Sequence, residues 1–237
     1  MYERRSWLLV GFLGLLAVGC SKETTSSSNI KTPGIAALMD VYADTDTTAT
    51  VHVELRVGGS SSNTYVGLDN GDQLIATAGD QTKTLTTTDD VGVYEAKFTG
   101  VTAETAFNVV FERPHDTTAS NNSGTLPPPF ALDKPTDGLS RKDDALEVTW
   151  SPGSDDDMAL HFDGDCIFPD KKNPPDDSGS FTLPKGSLDS TGGDMPEECK
   201  VTLKAQRSRS GTADDQFDDE SYFSLHQRRS TSFVSAP

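Results

Sequence analysis

The densest set of potential metal ligands in this chain is His161-Phe162-Asp163-Gly164-Asp165-Cys166. In an extended strand, residues two apart project to the same side, so His161, Asp163 and Asp165 would share one side. That is a geometry open to zinc or another transition metal, although no fourth ligand accompanies it. The plainer alternative is a polar strand end running into a turn. Harder ligands come in two acidic runs. Asp155-Asp156-Asp157 lies shortly before Asp163 and Asp165, and Asp214-Asp215-Gln216-Phe217-Asp218-Asp219-Glu220 carries five carboxylates. Like charges this close repel unless an ion or solvent screens them, and calcium takes roughly six to eight oxygens. Calcium is therefore the candidate ion, with Asp155, Asp157, Asp163, Asp165, Asp214, Asp215, Asp218 and Asp219 as candidate ligands, and no organic cofactor is implied. Neither run has the glycine and terminal glutamate of an EF-hand loop, so solvated acidic loops stand beside the calcium reading.

Nothing comparable supports catalysis. The chain has no Gly-x-Ser-x-Gly, no phosphate-cradling glycine loop, no Gly-x-Gly-x-x-Gly and no His-Glu-x-x-His. There are four histidines; His52 sits on the polar side of an alternating segment, His115 in a polar stretch, and His226 close to Arg228 and Arg229. A Ser/His/Asp trio can be assembled from so many Ser and Asp residues that its existence on paper carries no weight. The formal charge of −17 argues against nucleic acid, which wants a basic face, and against a polybasic lipid contact. Arg207 and Arg209 before the second acidic run, and Arg228 and Arg229 after it, would balance its carboxylates if the flanking segments form a hairpin.

The elements that would carry these residues read as strands. Val51, Val53, Leu55 and Val57 alternate with His52, Glu54 and Arg56; Tyr94, Ala96 and Phe98 with Glu95 and Lys97; Phe107, Val109 and Phe111 with Asn108, Val110 and Glu112. One apolar and one wet face is the pattern of half-buried antiparallel strands. Turn signals fall between them: Gly58-Gly59-Ser60, Asp69-Asn70-Gly71-Asp72, Gly79-Asp80 and Asp89-Asp90. Ile35–Tyr42 reads as an edge strand, with a helical turn as its alternative. Asp116–Gly124 is a polar break and Pro127-Pro128-Pro129 is stiff, with Phe130 and Leu132 at a seam. A second alternating series follows: Leu146, Val148 and Trp150; Leu160, Phe162 and Cys166; Phe181 and Leu183; Cys199, Val201, Leu203 and Ala205; Phe223 and Leu225.

The chain begins with Arg4 and Arg5, an apolar run from Trp7 to Val18, and Leu16-Ala17-Val18-Gly19-Cys20. The run is too short to span a bilayer and has the length of a signal-peptide core. Its ending resembles the lipobox of bacterial lipoproteins, which implies cleavage before Cys20 and acylation of that cysteine. Of 237 residues, 218 would then remain, and loss of Glu3, Arg4 and Arg5 takes the charge from −17 to −18. Residues 21–32 are polar and read as a flexible tether, and Ser21 in the sorting position implies the outer membrane. With Cys20 lipidated, Cys166 and Cys199 are the remaining pair of the three cysteines. Outside the cytoplasm such a pair oxidises, and the bridge would contribute about 3–4 kcal/mol in the chain-entropy picture. A Cys-based metal site would need a second close pair.

Ala145–Pro152 resembles the early Trp-bearing strand of immunoglobulin-like and fibronectin-type-III-like domains, and Tyr94–Phe111 is similar to their closing hairpin. The likeness departs from antibody domains in placing Trp150 before both cysteines and in lacking a tyrosine corner, Phe107 standing where a Tyr is expected. It implies an all-β fold of two tandem antiparallel Ig-like sandwiches: signal peptide 1–19, lipidated Cys20 and tether 20–34, first sandwich 35–115, linker and seam 116–144, second sandwich 145–237. The expected function is that of a non-catalytic, lipid-anchored envelope module for binding, adhesion or scaffolding. Its expected partners are the membrane, through the N-terminal lipid, and another envelope protein or a polysaccharide. Recognition would fall to the loops at Gly58–Asn63, Asp155–Asp165 and Asp214–Glu220. A metal-binding protein or metal-dependent enzyme built on His161, Asp163 and Asp165 is the rival.

Overall fold

The computed structural model describes residues 22–88, 91–153, 156–192 and 198–237. The expected signal peptide, Cys20, Ser21, Asp89-Asp90 and Asp155 lie outside the described residues. Among the described residues, seventeen strands carry the fold. The first ten are β1 (Glu23–Ser26), β2 (Ile35–Ala43), β3 (Thr48–Val57), β4 (Thr64–Gly67), β5 (Gln73–Ala78), β6 (Gln81–Thr84), β7 (Thr86–Thr87), β8 (Val93–Thr99), β9 (Ala106–Glu112) and β10 (Ala119–Thr125). Then come β11 (Leu139–Ser140), β12 (Leu146–Thr149), β13 (Asp157–Gly164), β14 (Ile167–Lys172), β15 (Ser180–Leu183), β16 (Cys199–Ser210) and β17 (Tyr222–Ala236).

Eleven of these form one continuous sheet whose main path runs β1-β4-β3-β2-β17-β16-β13-β14, with β8 beside β3, β7 beside β8 and β11 beside β17. A four-stranded sheet, β10-β9-β5-β6, covers one part of it, and the β12–β15 pair covers another. Two cores result. The first packs Met39, Val53, Leu55, Leu74, Phe98, Phe107 and Phe111, with Phe98 and Phe107 in edge-to-face contact at 5.7 Å, an arrangement worth about 1 kcal/mol beyond area burial. The second packs Val148, Trp150, Leu160, Phe162, Val201, Leu203 and Phe233 around the Cys166–Cys199 disulfide, whose Cα atoms are 5.9 Å apart. The all-β sandwich expectation and the inward placement of both cysteines hold.

The division of the chain differs from the expected one. β17 is fifteen residues long, and its first half pairs in parallel with β2, from Tyr222 opposite Leu38 to Gln227 opposite Ala43. Phe223 and Leu225, read as second-sandwich residues, therefore pack in the first core, as does Phe217, whereas Phe233 enters the second. The sheet is mixed rather than purely antiparallel, because β1–β4 and β11–β17 are also parallel.

β2 is a strand but not an edge strand. It lies between β3 and β17 with almost every residue buried, which is why its sequence is apolar apart from Asp40. The polar break at 116–124 contains β10, paired with β9. Its sequence lacks apolar alternation because Asn122, fully buried, takes a core position and donates to the carbonyls of Val109 and Ala119. The segment expected to be a tether is held as well: Glu23–Ser26 pairs with β4, and short 3₁₀ turns follow at Ser27–Asn29 and Thr32–Gly34. Arg113, 5 % exposed, is the reason. It pairs with Asp72 at 3.0 Å and donates to the carbonyls of Ser27 and Ile30 and to the Thr32 hydroxyl. Sequence-local polarity could not reveal an anchor arriving from about eighty residues away.

Candidate functional site

Several side chains of the acidic runs are engaged by the chain itself. Asp214 accepts from the backbone N–H groups of Ser120 and Asn121 at 2.7 Å and of Gln216 at 3.0 Å. Burial alone would raise its pKa, but these hydrogen bonds outweigh that effect and hold the carboxyl below the usual carboxylate value. Asp218 accepts from the Glu220 N–H, and Glu220 accepts from both the N–H and the hydroxyl of Ser60 at 2.6 Å. The loops 58–63 and 214–220 are thus fastened to each other. Asp156 is clamped by Arg209 through both oxygens, at 2.7 and 3.1 Å. Asp157 and Asp163 stand at opposite ends of β13, and Asp165 lies in the following turn, exposed. Asp215 and Asp219 are exposed on their loop. Among the described residues no three His, Cys, Asp or Glu side chains gather as a metal cage would.

The arginines flanking the acidic run do not serve it. Its flanks do form the β16–β17 hairpin, yet Arg207 pairs with Asp177, Arg209 with Asp156 and Glu104, Arg228 with Asp44 and Arg229 with Asp46. Alternation in β16 turns Arg207 toward the second core, where it is 1 % exposed.

What the fold does assemble is the outer face of the continuous sheet. In its middle, Ser208, His226 and Asp40 come into contact across β16, β17 and β2: Ser208 Oγ lies 2.8 Å from His226 Nδ1, and His226 Nε2 lies 2.9 Å from Asp40 Oδ1. Tyr222 donates to Asp40 at 3.1 Å, and Tyr42 stacks on the imidazole at 5.1 Å. Burial and the nearby Asp40 carboxylate push the Tyr42 hydroxyl up to about 12 and raise that of Tyr222 as well. The order of contacts is that of a serine hydrolase, but Ser208 lies in extended backbone near the end of β16, opposite Asp157 of β13 and His226 of β17. This is a setting of strand pairing rather than of converging N–H donors for an oxyanion. Gln206 Nε2 also donates to the Ser208 hydroxyl at 3.1 Å. The array is a brace across three strands. Farther along the same sheet, His52 meets Glu95 at 2.9 Å.

At the β14 side the face hollows into an open groove of about 800 Å³ that crosses β14, β13, β16 and β17 and ends at Asp44 in the β2–β3 loop. Register explains its lining. Lys171, His161, Lys204 and Ser230 stand directly opposite one another in a single row, and Gln206 and Arg228 form the next. Asp163 and Thr202 flank the row on the other side. Of the sequence-predicted cluster, His161 and Asp163 therefore reach a common cavity. Lys171 and Lys204, which sequence reading passed over, bracket His161; they come from two other strands, and only the strand register joins them. Burial, Lys171 and Lys204 all lower the His161 pKa; the two ammoniums beside it disfavour a dication, and Asp165 lies in the turn beyond β13.

The Tyr94 hydroxyl donates to the Val66 carbonyl at 3.0 Å and accepts from the Leu68 N–H at 2.9 Å, fastening the end of β4 to β8.

No protein-family model matches the chain, and no curated protein matches it. Among solved structures it is similar to a segment of two fibronectin type-III domains from chicken tenascin, at 10 % identity over 85 % of this chain and 99 % of that one, TM-score 0.27. It is similar also to Salmonella alpha-2-macroglobulin at 12 % identity, over 87 % of this chain and 15 % of that one, TM-score 0.29. A third is the Yersinia pseudotuberculosis adhesin InvE at 14 % identity, over 85 % of this chain and 58 % of that one, TM-score 0.24. Scores this low carry no argument, and the sandwich is read from the strands and cores themselves.

Proposed function

We propose that this chain is a lipid-anchored module of the bacterial cell envelope that binds, rather than transforms, its ligand, with the outer face of the continuous sheet as its working surface. The observation that carries this reading is the groove: an open hollow of about 800 Å³ on a braced sheet, lined by side chains from four strands. A rigid sheet presenting a shallow polar hollow suits recognition of an extended partner. The anchor is read from the lipobox-like Leu16–Cys20, and β1, the first strand after it, lies at the opposite end of the main sheet path from β13 and β14. Acyl chains on Cys20 supply the multiple-chain attachment that stable membrane residence needs, and the Ser21 position favours the outer membrane.

The test has two parts. Cells fed an alkyne-bearing palmitate should label the wild-type chain and not Cys20→Ser, and labelling of both would remove the anchor. A photo-crosslinking residue placed at Thr202, in the groove, should give a discrete adduct with an envelope component, whereas one placed at exposed Lys142 should not. Equal adducts at both positions, or none at Thr202, would remove the groove as the working surface.

A further inference from the structure

Once the internal ion pairs of the groove are assigned, a specific set of groups is left over. Lys172 is taken by Asp170, Arg228 by Asp44 and Arg229 by Asp46. Lys171 and Lys204 take no part in these pairs, and neither does Asp163. Beside them stand His161 in the same row, the Thr202 and Ser230 hydroxyls, and the Gln206 amide. Two ammonium groups, one carboxylate and several neutral hydrogen-bonding groups thus face one hollow. The ammonium-bearing strands are separated by β13, so their backbones lie about 10 Å apart.

This set discriminates among ligand chemistries. A dense polyanion would meet the Lys171 and Lys204 ammoniums but also Asp163, and the whole chain carries −17, which repels it at range. A neutral sugar would leave both ammoniums without a partner. A ligand with a few spaced carboxylates and many hydroxyls satisfies everything: carboxylates go to Lys171 and Lys204, and hydroxyls donate to Asp163 and exchange hydrogen bonds with Thr202, Ser230 and Gln206. Pro169 lines the hollow, offering a small apolar surface for the face of a sugar ring. We propose that the groove binds an acidic saccharide, a chain of hydroxyl-rich rings bearing uronate-type carboxylates, with Lys171 and Lys204 as the carboxylate contacts and Asp163 as the hydroxyl acceptor. The inference rests on the binding-module reading above and names its ligand class.

The test uses the full-length chain in nonionic detergent and isothermal titration with tetragalacturonate, a neutral galactose tetramer and hexaglutamate. Tetragalacturonate should bind, Lys171→Gln/Lys204→Gln should weaken it about tenfold, and Asp163→Asn should also weaken it. The neutral tetramer should bind wild type at least as weakly as the doubly substituted chain binds the uronate, and hexaglutamate should bind more weakly still. All three substituted positions lie on the solvent face, and unchanged circular dichroism would exclude a folding defect. Failure of wild type to bind tetragalacturonate at millimolar concentration, equal binding by the lysine variant, or hexaglutamate binding as tightly as the uronate would each overturn the proposal. A surviving photo-adduct at Thr202 together with such a failure would leave the binding module standing and remove only its saccharide ligand.

Discussion

Replacing Arg207 with Met tests the strongest polar contact of the second core. Arg207 and Asp177 are 1 % and 0 % exposed at the side chain and 2.6 Å apart. The guanidinium also donates to the carbonyls of Pro128 and Ser151 at 2.9 and 2.7 Å, and lies 4.8 Å from the centre of the Phe130 ring. Asp177 has one further side-chain partner, the Trp150 indole N–H at 2.6 Å. Gly153 is part of the arrangement: a Cβ there would stand 2.0 Å from Asp177 Oδ2, so the carboxylate occupies the space its missing side chain leaves. Met fills much of the arginine's volume but strands Asp177 as a buried charge with a single donor, a situation that costs about 3–5 kcal/mol. At about 2–4 °C per kcal/mol for a chain of this size, the midpoint should fall by about 6–20 °C. Urea unfolding followed through Trp150 fluorescence reads the change at the site. Arg207→Met/Asp177→Leu removes both charges and should recover at least half of the loss, because an ion pair deleted whole leaves no unpaired charge. A loss below about 1 kcal/mol for Arg207→Met, or a double variant that loses the sum of its two single variants, would refute the assignment of this pair as the polar keystone of the core.

Four other outcomes are expected. Asp214→Ala should cost about 1–3 kcal/mol by orphaning the N–H groups of Ser120, Asn121 and Gln216; because the folded carboxyl titrates below its unfolded value, its stabilisation is present above the ordinary carboxylate pKa and fades as pH falls through the folded one, a slope that Asp214→Asn should flatten in acid melts. His161 carries the opposite chemistry with the same direction: its folded pKa lies below 6.5, so the unfolded chain takes the proton first and stability declines as pH drops from 6.5, whereas His161→Gln should show no such decline. Melts in EDTA and then in millimolar calcium should coincide, since Asp214, Asp218 and Glu220 already accept from backbone N–H groups; a rise of several degrees with calcium would contradict that. Cys166→Ala/Cys199→Ala should lose about 3–4 kcal/mol in urea unfolding, as expected for releasing a loop with a sequence separation of 33.

Where one face of a strand is wet and the other dry, the sequence announced it. The alternations at Val51–Val57, Tyr94–Phe98 and Phe107–Phe111 became β3, β8 and β9, and the cysteines kept the inward parity of their neighbours. Legibility failed where polar groups are buried by distant partners. Asn122 gives β10 a polar core residue, and Arg113 turns a tether-like stretch into ordered structure. The calcium reading meets a related limit: carboxylate clusters look alike in sequence whether they await an ion or, as at Asp214 and Glu220, accept from backbone N–H groups. Of the groove, His161 and Asp163 were visible because they are two residues apart on one strand. Lys171 and Lys204 were not, since register between strands, absent from any local pattern, places them on either side of His161.

The parallel pairing of β17 with β2 also dictates when this molecule can fold. Tyr222 lies opposite Leu38 and Gln227 opposite Ala43, so β2 waits for a strand that follows it by more than 180 residues. Until β17 emerges, β2 presents an apolar, unpaired border, and the first core lacks Phe223 and Leu225. Contacts of such sequence separation close slowly, and an exposed border of this kind invites pairing with other chains. A truncated product ending before residue 222 would therefore be sticky in both halves at once, and the nascent chain has reason to be kept unfolded until the fifteen residues of β17 arrive.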